Sequence, residues 1–144
     1  MIEFGEQIKG VRYMDRPGAY AIIQDGANAI ALVRTKQGYL LPGGGVEAYE
    51  GLEAALRREI VEELGYQSSI GEKICHAVQY LYSEAEHDYF RKVGHFFRAT
   101  LIEKVCEPTE MNHELVWCPP HESLTKLAQE FQAWAVRQAL KVIR

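Results

Sequence analysis

The sequence has few cysteines, and their spacing suits neither a disulfide framework nor a zinc site. Its 144 residues include only Cys75, Cys106 and Cys118, an odd number at wide spacing with no C-x-x-C pair. Small disulfide-stabilised proteins carry cysteines in even numbers, and structural zinc sites bring them in close pairs. We therefore expect reduced, partly buried thiols in a cytoplasmic protein.

Long apolar runs and an excess of positive charge are also missing. The longest uninterrupted apolar segments are short, such as residues 29–33, and the N-terminus MIEFGEQIKG lacks the apolar region of a signal peptide. We therefore expect no membrane span. The net charge of −4 leaves no general positive field to hold a nucleic-acid polymer. A small phosphorylated ligand stays open, because a metal ion can supply positive charge locally.

The order of strand-like and helical segments favours a mixed sheet between helices. Residues 18–24 and 28–34 are apolar and flank the turn signal Asp25-Gly26, which predicts a hairpin. Residues 50–64 have helical periodicity, and Gly65 stands at the C-terminal cap position. Further strands are expected near 39–41, 67–82, 92–102 and 113–118, and a terminal helix at 124–143. We expect one α/β domain over residues 1–144.

Three acids on the predicted helix are the first candidates for chemistry. At about 100° per residue, Glu59, Glu62 and Glu63 lie side by side next to an apolar stripe. Like charges at this spacing cost a helix a few tenths of a kcal/mol. They form either a solvated acidic face or a site for a hard cation such as Mg²⁺, which takes several oxygen ligands and shares others with substrate phosphates. Zinc is disfavoured, since the segment has no His or Cys.

A run of three glycines, Gly43 to Gly45, precedes this helix. Glycine is used where a ligand or metal approaches the main chain closely, although it also serves as a flexible turn. The run leads to a helix start, where backbone N–H groups can meet a phosphate. It is not a P-loop, because the G-K-[ST] ending is missing.

Together, the glycines and the acidic helix resemble the Nudix box, G-x5-E-x7-R-E-U-x-E-E-x-G-U, where U is a bulky apolar residue. The box covers 23 of the 144 residues, and its seven fixed positions match in register at Gly44, Glu50, Arg58, Glu59, Glu62, Glu63 and Gly65. Two positions depart from the usual pattern. Tyr66 replaces an aliphatic residue, and Tyr49 stands where many members carry glycine, which affects the shape of the loop before the helix.

The resemblance implies a Nudix-type α/β/α sandwich with a mixed sheet and a role for each box residue. By similarity, Glu59, Glu62 and Glu63 bind Mg²⁺, for which Mn²⁺ can substitute, and the Gly43 carbonyl is a further oxygen ligand. Arg58 holds a glutamate in its working orientation. The remaining catalytic candidate is Glu50 at the helix N-terminus, where its charge suits the helix dipole.

Other candidates for substrate or metal contact lie in or beyond the box. Gly44, Gly45 and Glu47 are expected near the substrate. Glu114 is the candidate for a general base or metal ligand outside the box, although Glu47 and Glu114 also suit ordinary exposed acids. Tyr82 stands about sixteen residues after the box, where some dinucleoside polyphosphate hydrolases of the family carry a tyrosine. No ligand spacing is found among the histidines, His76, His87, His95, His113 and His121.

The function implied is Mg²⁺-dependent hydrolysis of a pyrophosphate bond in a small nucleotide-type substrate. Nucleoside triphosphates, dinucleoside polyphosphates and ADP-sugars all stay open, as does a homodimer. One alternative is a Nudix-fold module that senses a nucleotide without cutting it. Such modules usually lose box glutamates, whereas this chain keeps all four. A second alternative is a metal-free structural domain with an acidic helix.

Overall fold

Two β-sheets carry helices on both of their faces. The structure is a computed structural model that describes residues 1–142. The strands are β1 Glu3–Phe4, β2 Met14–Ile22, β3 Ile30–Thr35, β4 Gly38–Leu40, β5 Gly43–Gly45, β6 Tyr66–Ser83, β7 Asp88–Lys104 and β8 Glu114–Cys118. The helices are α1 Leu52–Leu64, α2 Pro120–Lys126 and α3 Glu130–Val142. None of the helices in residues 1–142 is long and apolar enough to cross a membrane.

The larger sheet is mixed, as predicted. Its five strands lie in the order β1-β6-β7-β2-β5, and the smaller sheet has the order β4-β3-β8. Strand β2 runs parallel to β7 and antiparallel to β5. Strand β2 is next to the edge, and the short glycine strand β5 forms that edge of the sheet, where it lies against helix α1. The predicted mixed sheet between helices is confirmed.

Each face of the sheets builds its own hydrophobic core. Along β2, Tyr20 and Ile22 pack with Phe131 of α3, whereas Ala19 and Ala21 pack on the other face with residues of α1. Successive side chains of a strand point to opposite faces. Because both faces are covered by helices there, the second half of this strand, residues 18–22, is a continuous buried run rather than an alternating one.

Two predictions about the chain path need correction. The strands on either side of Asp25-Gly26 join different sheets, and only the isolated Gln24–Ile30 bridge links them beyond the turn. The predicted terminal helix 124–143 is two helices, because Leu127 adopts an extended conformation and bridges to Tyr39. The sequence pattern did not reveal this break, because Leu127 is itself a core residue and the apolar periodicity continues through it. Position 143 lies outside the described residues.

The C-terminal end of α1 is confirmed where the sequence placed it. Gly65 has the left-handed conformation, with φ 75°, and its N–H donates to the Val61 carbonyl at 2.9 Å. A side chain there would collide with the Cys106 carbonyl oxygen. Glycine ends the helix at no steric cost in this conformation, and the end of α1 therefore also fixes how the chain after β7 packs.

Candidate active site

The glycine strand β5 and helix α1 come into direct contact at the box residues. Strand β5 pairs with β2, and α1 folds back against it after a loop of six residues. The Gly43 N–H donates to Glu63 Oε1 at 2.9 Å. A Cβ atom added at Gly44 would lie 2.6 Å from Glu59 Cδ. The absence of a side chain at Gly44 therefore gives the Glu59 carboxylate its space against the strand.

Arg58 ties the loop before α1 to the acidic face of the helix. Its Nε donates to Glu50 Oε2 at 2.8 Å and its Nη2 to Glu50 Oε1 at 2.9 Å. Its Nη1 donates to Glu59 Oε2 at 3.1 Å and to Glu62 Oε1 at 3.2 Å, and Nη2 also reaches the Gly45 carbonyl at 3.1 Å. The hydrogen bonds from Arg58 lower the pKa of Glu50 to about 2. The planar guanidinium suits such a two-pronged contact, which a lysine could not make.

The two carboxylates nearest the glycines are hard to ionise. Glu63 is only 6% exposed. Burial raises its pKa to about 8, against the opposing hydrogen bond from Gly43 and with the help of the Glu59 and Glu110 charges. Burial also raises the pKa of Glu59, although Arg58 opposes it. A cation placed between these carboxylates would favour their charged forms and relieve the repulsion.

The donor chemistry of this cluster fits a hard divalent ion. Glu59, Glu62 and Glu63 offer only carboxylate oxygens, which Mg²⁺ prefers, and the glycines leave the main chain open to close approach. Within residues 1–142, no three His, Cys, Asp or Glu side chains already converge on one point. Arg58 donates hydrogen bonds to two of the three carboxylates. A bound ion would compete with Arg58 for the same oxygens.

A cavity of about 490 Å³ opens beside the cluster. Glu47 lines it, with Oε1 3.4 Å from Arg58 Nε. Most of the residues expected near the substrate are thus close to Arg58 and Glu59. The cavity is lined by Asp15, Arg16, Pro17, Gly45, Val46, Glu47, Arg58 and Glu59.

The structure does not bring Glu114 and Tyr82 to this cluster. The exposed Glu114 carboxylate pairs with Arg34 on the neighbouring strand. The next residue, Leu115, packs into the core that contains α1, so alternation turns Glu114 to the opposite face. The Tyr82 ring packs at a tilt against Tyr89, with ring centroids 4.8 Å apart, and Tyr82 lines a separate groove.

Two residues near the cluster were missed from sequence. His113 comes just before β8, and its Nδ1 lies 3.3 Å from Oε2 of Glu63, a residue of α1. The Glu110 charge raises the pKa of both Glu59 and Glu63, and its backbone N–H donates to the Glu62 carbonyl at 3.2 Å. One signal could have found His113, because residues 113 and 115 share a face of an extended chain and Leu115 is apolar. No local pattern marks Glu110.

Known proteins resemble this chain in sequence and fold. A "Putative 8-oxo-dGTP diphosphatase" of Bacillus subtilis (strain 168) is 35% identical over 78 residues, which is 53% of this chain; the match covers about half, 52%, of that protein. The MutT protein from Methanosarcina mazei Go1 superposes with a TM-score of 0.73 at 19% identity, over 94% of this chain and 100% of that one. The solution structure of the E. coli ORF135 protein superposes with a TM-score of 0.62 at 27% identity, over 92% of this chain and 94% of that one.

The family model described as NUDIX domain matches residues 14–139. This range contains every strand except β1. It also contains helix α1, helix α2 and nearly all of α3. Because the match extends over most of the chain and contains the whole acidic cluster, the chain belongs to the NUDIX domain family.

Proposed function

We propose that this chain is a pyrophosphohydrolase that uses Mg²⁺ to cut a phosphoanhydride bond in a nucleotide, with Mn²⁺ as a substitute. Nudix hydrolases act on nucleoside diphosphate derivatives with the help of divalent metal ions. The observation that carries the proposal is the contact between the glycine strand and the acidic helix. There, Glu59 and Glu63 are held against Gly43 and Gly44 beside an open cavity.

The proposed metal ligands are Glu59, Glu62, Glu63 and the Gly43 carbonyl. When bound, the ion neutralises phosphate charge and lowers the pKa of water. Glu59 lines the cavity, where its carboxylate can accept a proton from water. We assign Glu59 the role of general base, which removes a proton from the water that attacks phosphorus. As the oxygen of that water bonds to phosphorus, the bond from phosphorus to the leaving phosphate oxygen breaks.

Arg58 and Glu50 position this machinery. Their two-pronged pair fixes the loop before α1, and the remaining Arg58 donors hold Glu59 and Glu62 in place. A bound ion would use the same oxygens. Glu47 and Gly45 border the space for the phosphates. Glu114 has no part in the proposed site, because its carboxylate is paired with Arg34 on the other face.

Among the substrate classes, we place nucleoside triphosphates first. The Bacillus subtilis relative, which matches about half of the chain, has a name that refers to a modified deoxynucleoside triphosphate. Dinucleoside polyphosphates and ADP-sugars are the next candidates. The rival proposal of a nucleotide sensor is disfavoured by the four retained box glutamates, Glu50, Glu59, Glu62 and Glu63.

The test incubates the purified protein with Mg²⁺ and a panel of nucleotides and identifies the products. We expect phosphate or pyrophosphate release that stops with a chelator. Glu62→Gln should lower turnover at least 100-fold with an unchanged circular dichroism spectrum. The matched control is Glu53→Gln, because Glu53 is on the same helix but exposed and beside Arg57. Nucleotide binding without any product would favour the sensor, and an active Glu62→Gln variant would refute the site.

A further inference from the structure

A groove of about 330 Å³ lies between helix α1 and the paired strands β6 and β7. It is separate from the cavity beside Glu59, although Arg58 lines both spaces. A space of this size is within the range that small-molecule ligands occupy. The groove is lined by Arg57, Arg58 and Val61 of α1, Gln67 and Ser68 of β6, and Ile102 of β7.

A β-bulge turns Ile102 into this groove. Gln67 pairs with Glu103, whereas the next residue, Ser68, pairs with Leu101, so that Ile102 is the extra residue between the two pairs. In a regular strand Ile102 would point away from α1, because its neighbour Leu101 packs in the core that contains α1 residues. The bulge instead leaves an isoleucine 61% exposed in the groove. Bulges are frequent next to active sites, where they redirect a side chain.

Ser68 contributes a buried hydroxyl group that has no partner. The residue is only 9% exposed, and within residues 1–142 its Oγ makes no hydrogen bond. Its register partner Leu101 points toward α1, so the Ser68 side chain points to the same face of the sheet. A buried polar group without a partner has lost its hydrogen bonds to water and destabilises the fold. A polar ligand in the groove would restore the missing bond.

Arg57 brings positive charge to the groove, and its own ion pair is weak. Within residues 1–142 it pairs with Glu53, whose Oε1 is 3.9 Å from Arg57 Nη1, and both side chains are more than half exposed. An exposed pair one helical turn apart contributes little, so Glu53 hardly competes with another anion. The Arg58 guanidinium, in contrast, is already bonded to Glu50 and Glu59. Arg57 can therefore bind a ligand, and its planar group suits the oxygens of a carboxylate or a phosphate.

We propose that this groove binds a small oxyanion that carries an apolar chain. The oxyanion accepts hydrogen bonds from the Arg57 guanidinium and from the Ser68 hydroxyl group. The chain packs between Val61 and Ile102 and removes their exposed apolar surface from water. A short-chain carboxylate and an alkyl phosphate share this chemistry. The site lies outside the proposed catalytic cavity, and it needs neither a metal ion nor hydrolysis.

The test titrates the 15N-labelled protein in metal-free, phosphate-free buffer and follows its amide signals by NMR. The probes are hexanoate and hexyl phosphate, and the controls are hexanol, which lacks the charge, and inorganic phosphate, which lacks the chain. We expect hexanoate, hexyl phosphate or both to shift the signals of Val61, Ser68 and Ile102 saturably, and the tighter probe identifies the head group. Hexanol and inorganic phosphate should bind at least tenfold more weakly, because each makes only part of the contacts.

Two variants test the polar contacts. Arg57→Gln should weaken binding about 10- to 100-fold, the effect of losing a charged hydrogen bond. Ser68→Ala should weaken binding at least threefold and leave the melting temperature unchanged or higher, because it removes a buried hydroxyl group that has no partner. The matched control is Arg137→Gln, since Arg137 is exposed on α3 and lies outside the groove.

The proposal is overturned if neither hexanoate nor hexyl phosphate binds saturably, or if hexanol binds as tightly as they do. An Arg57→Gln or Ser68→Ala variant that binds as the wild type does would also overturn it. A protein that binds these probes through Arg57 but cuts no nucleotide would support the groove and refute the hydrolase.

Discussion

Gly44→Ala is expected to separate the catalytic geometry from the stability of the fold. The added Cβ would lie 2.6 Å from Glu59 Cδ, whereas ordinary contact begins at 3.4 Å. The carboxylate must therefore recede by about 0.8 Å. A misplacement of about 1 Å can cost roughly 100-fold in rate, or about 2.7 kcal/mol of activation free energy. Gly44 has no positive φ, so alanine fits its backbone.

The assay compares this variant with alanine at both neighbouring glycines. An added Cβ at Gly45 meets nothing within 4 Å, so Gly45→Ala should leave the Glu59 carboxylate in place and lower turnover less than Gly44→Ala does. Gly43 has φ 139°, and a Cβ there would collide with the Ala19 carbonyl oxygen, so Gly43→Ala should lower the melting temperature. Turnover and urea unfolding are measured for all three. If the Gly44→Ala and Gly45→Ala variants hydrolyse nucleotide at rates within twofold of each other, catalysis does not depend on the placement of Glu59 against Gly44.

Three further predictions address the loop, the outer acid and pH. Tyr49 is fully exposed and has a positive φ of 66°. Tyr49→Gly should raise the free energy of unfolding by about 0.5–1 kcal/mol, because the relief of left-handed strain exceeds the added entropy of the unfolded chain. A lower free energy of unfolding in urea would contradict this prediction. Glu114→Gln should keep turnover within twofold of the wild type, and a 100-fold loss would return Glu114 to the metal site. Burial raises the pKa of Glu63 from 4.5 to about 8, so the folded state binds this proton more tightly. In chelator, the free energy of unfolding should then fall as pH rises from about 4.5 to about 8, by at most about 1.4 kcal/mol per unit. Glu63→Gln should flatten that slope in urea titrations, and an equal slope in both proteins would argue against the assignment.

The acidic cluster shows how much local spacing can determine. Glu59, Glu62 and Glu63 share a face because helical residues three and four apart are neighbours, whatever surrounds the helix. The end of α1 at Gly65 is equally local, since glycine tolerates the left-handed cap. These features depend on contacts within a few residues, which the sequence contains completely.

The site residues that lie on or beside strands are positioned by strand pairing, which cannot be read from a local sequence pattern. A shift of one residue in a strand turns every side chain to the other face. The sequence suggested Glu114 as a general base or metal ligand outside the box. The register of β8 instead places His113 beside Glu63 and pairs Glu114 with Arg34. The sequence left the glycine run open between a flexible turn and a close approach to a ligand or metal, whereas pairing with β2 makes it a strand.

The amino-acid sequence alone determined the helix, its cap and the line of carboxylates, because each follows from interactions between near neighbours along the chain. Only the tertiary structure decided what those carboxylates face. It brought the glycine strand against Glu59, and it joined Arg57 of α1 with Ile102 of β7 in one groove. Such contacts join residues far apart in the chain, and their geometry follows from how the sheets and helices pack.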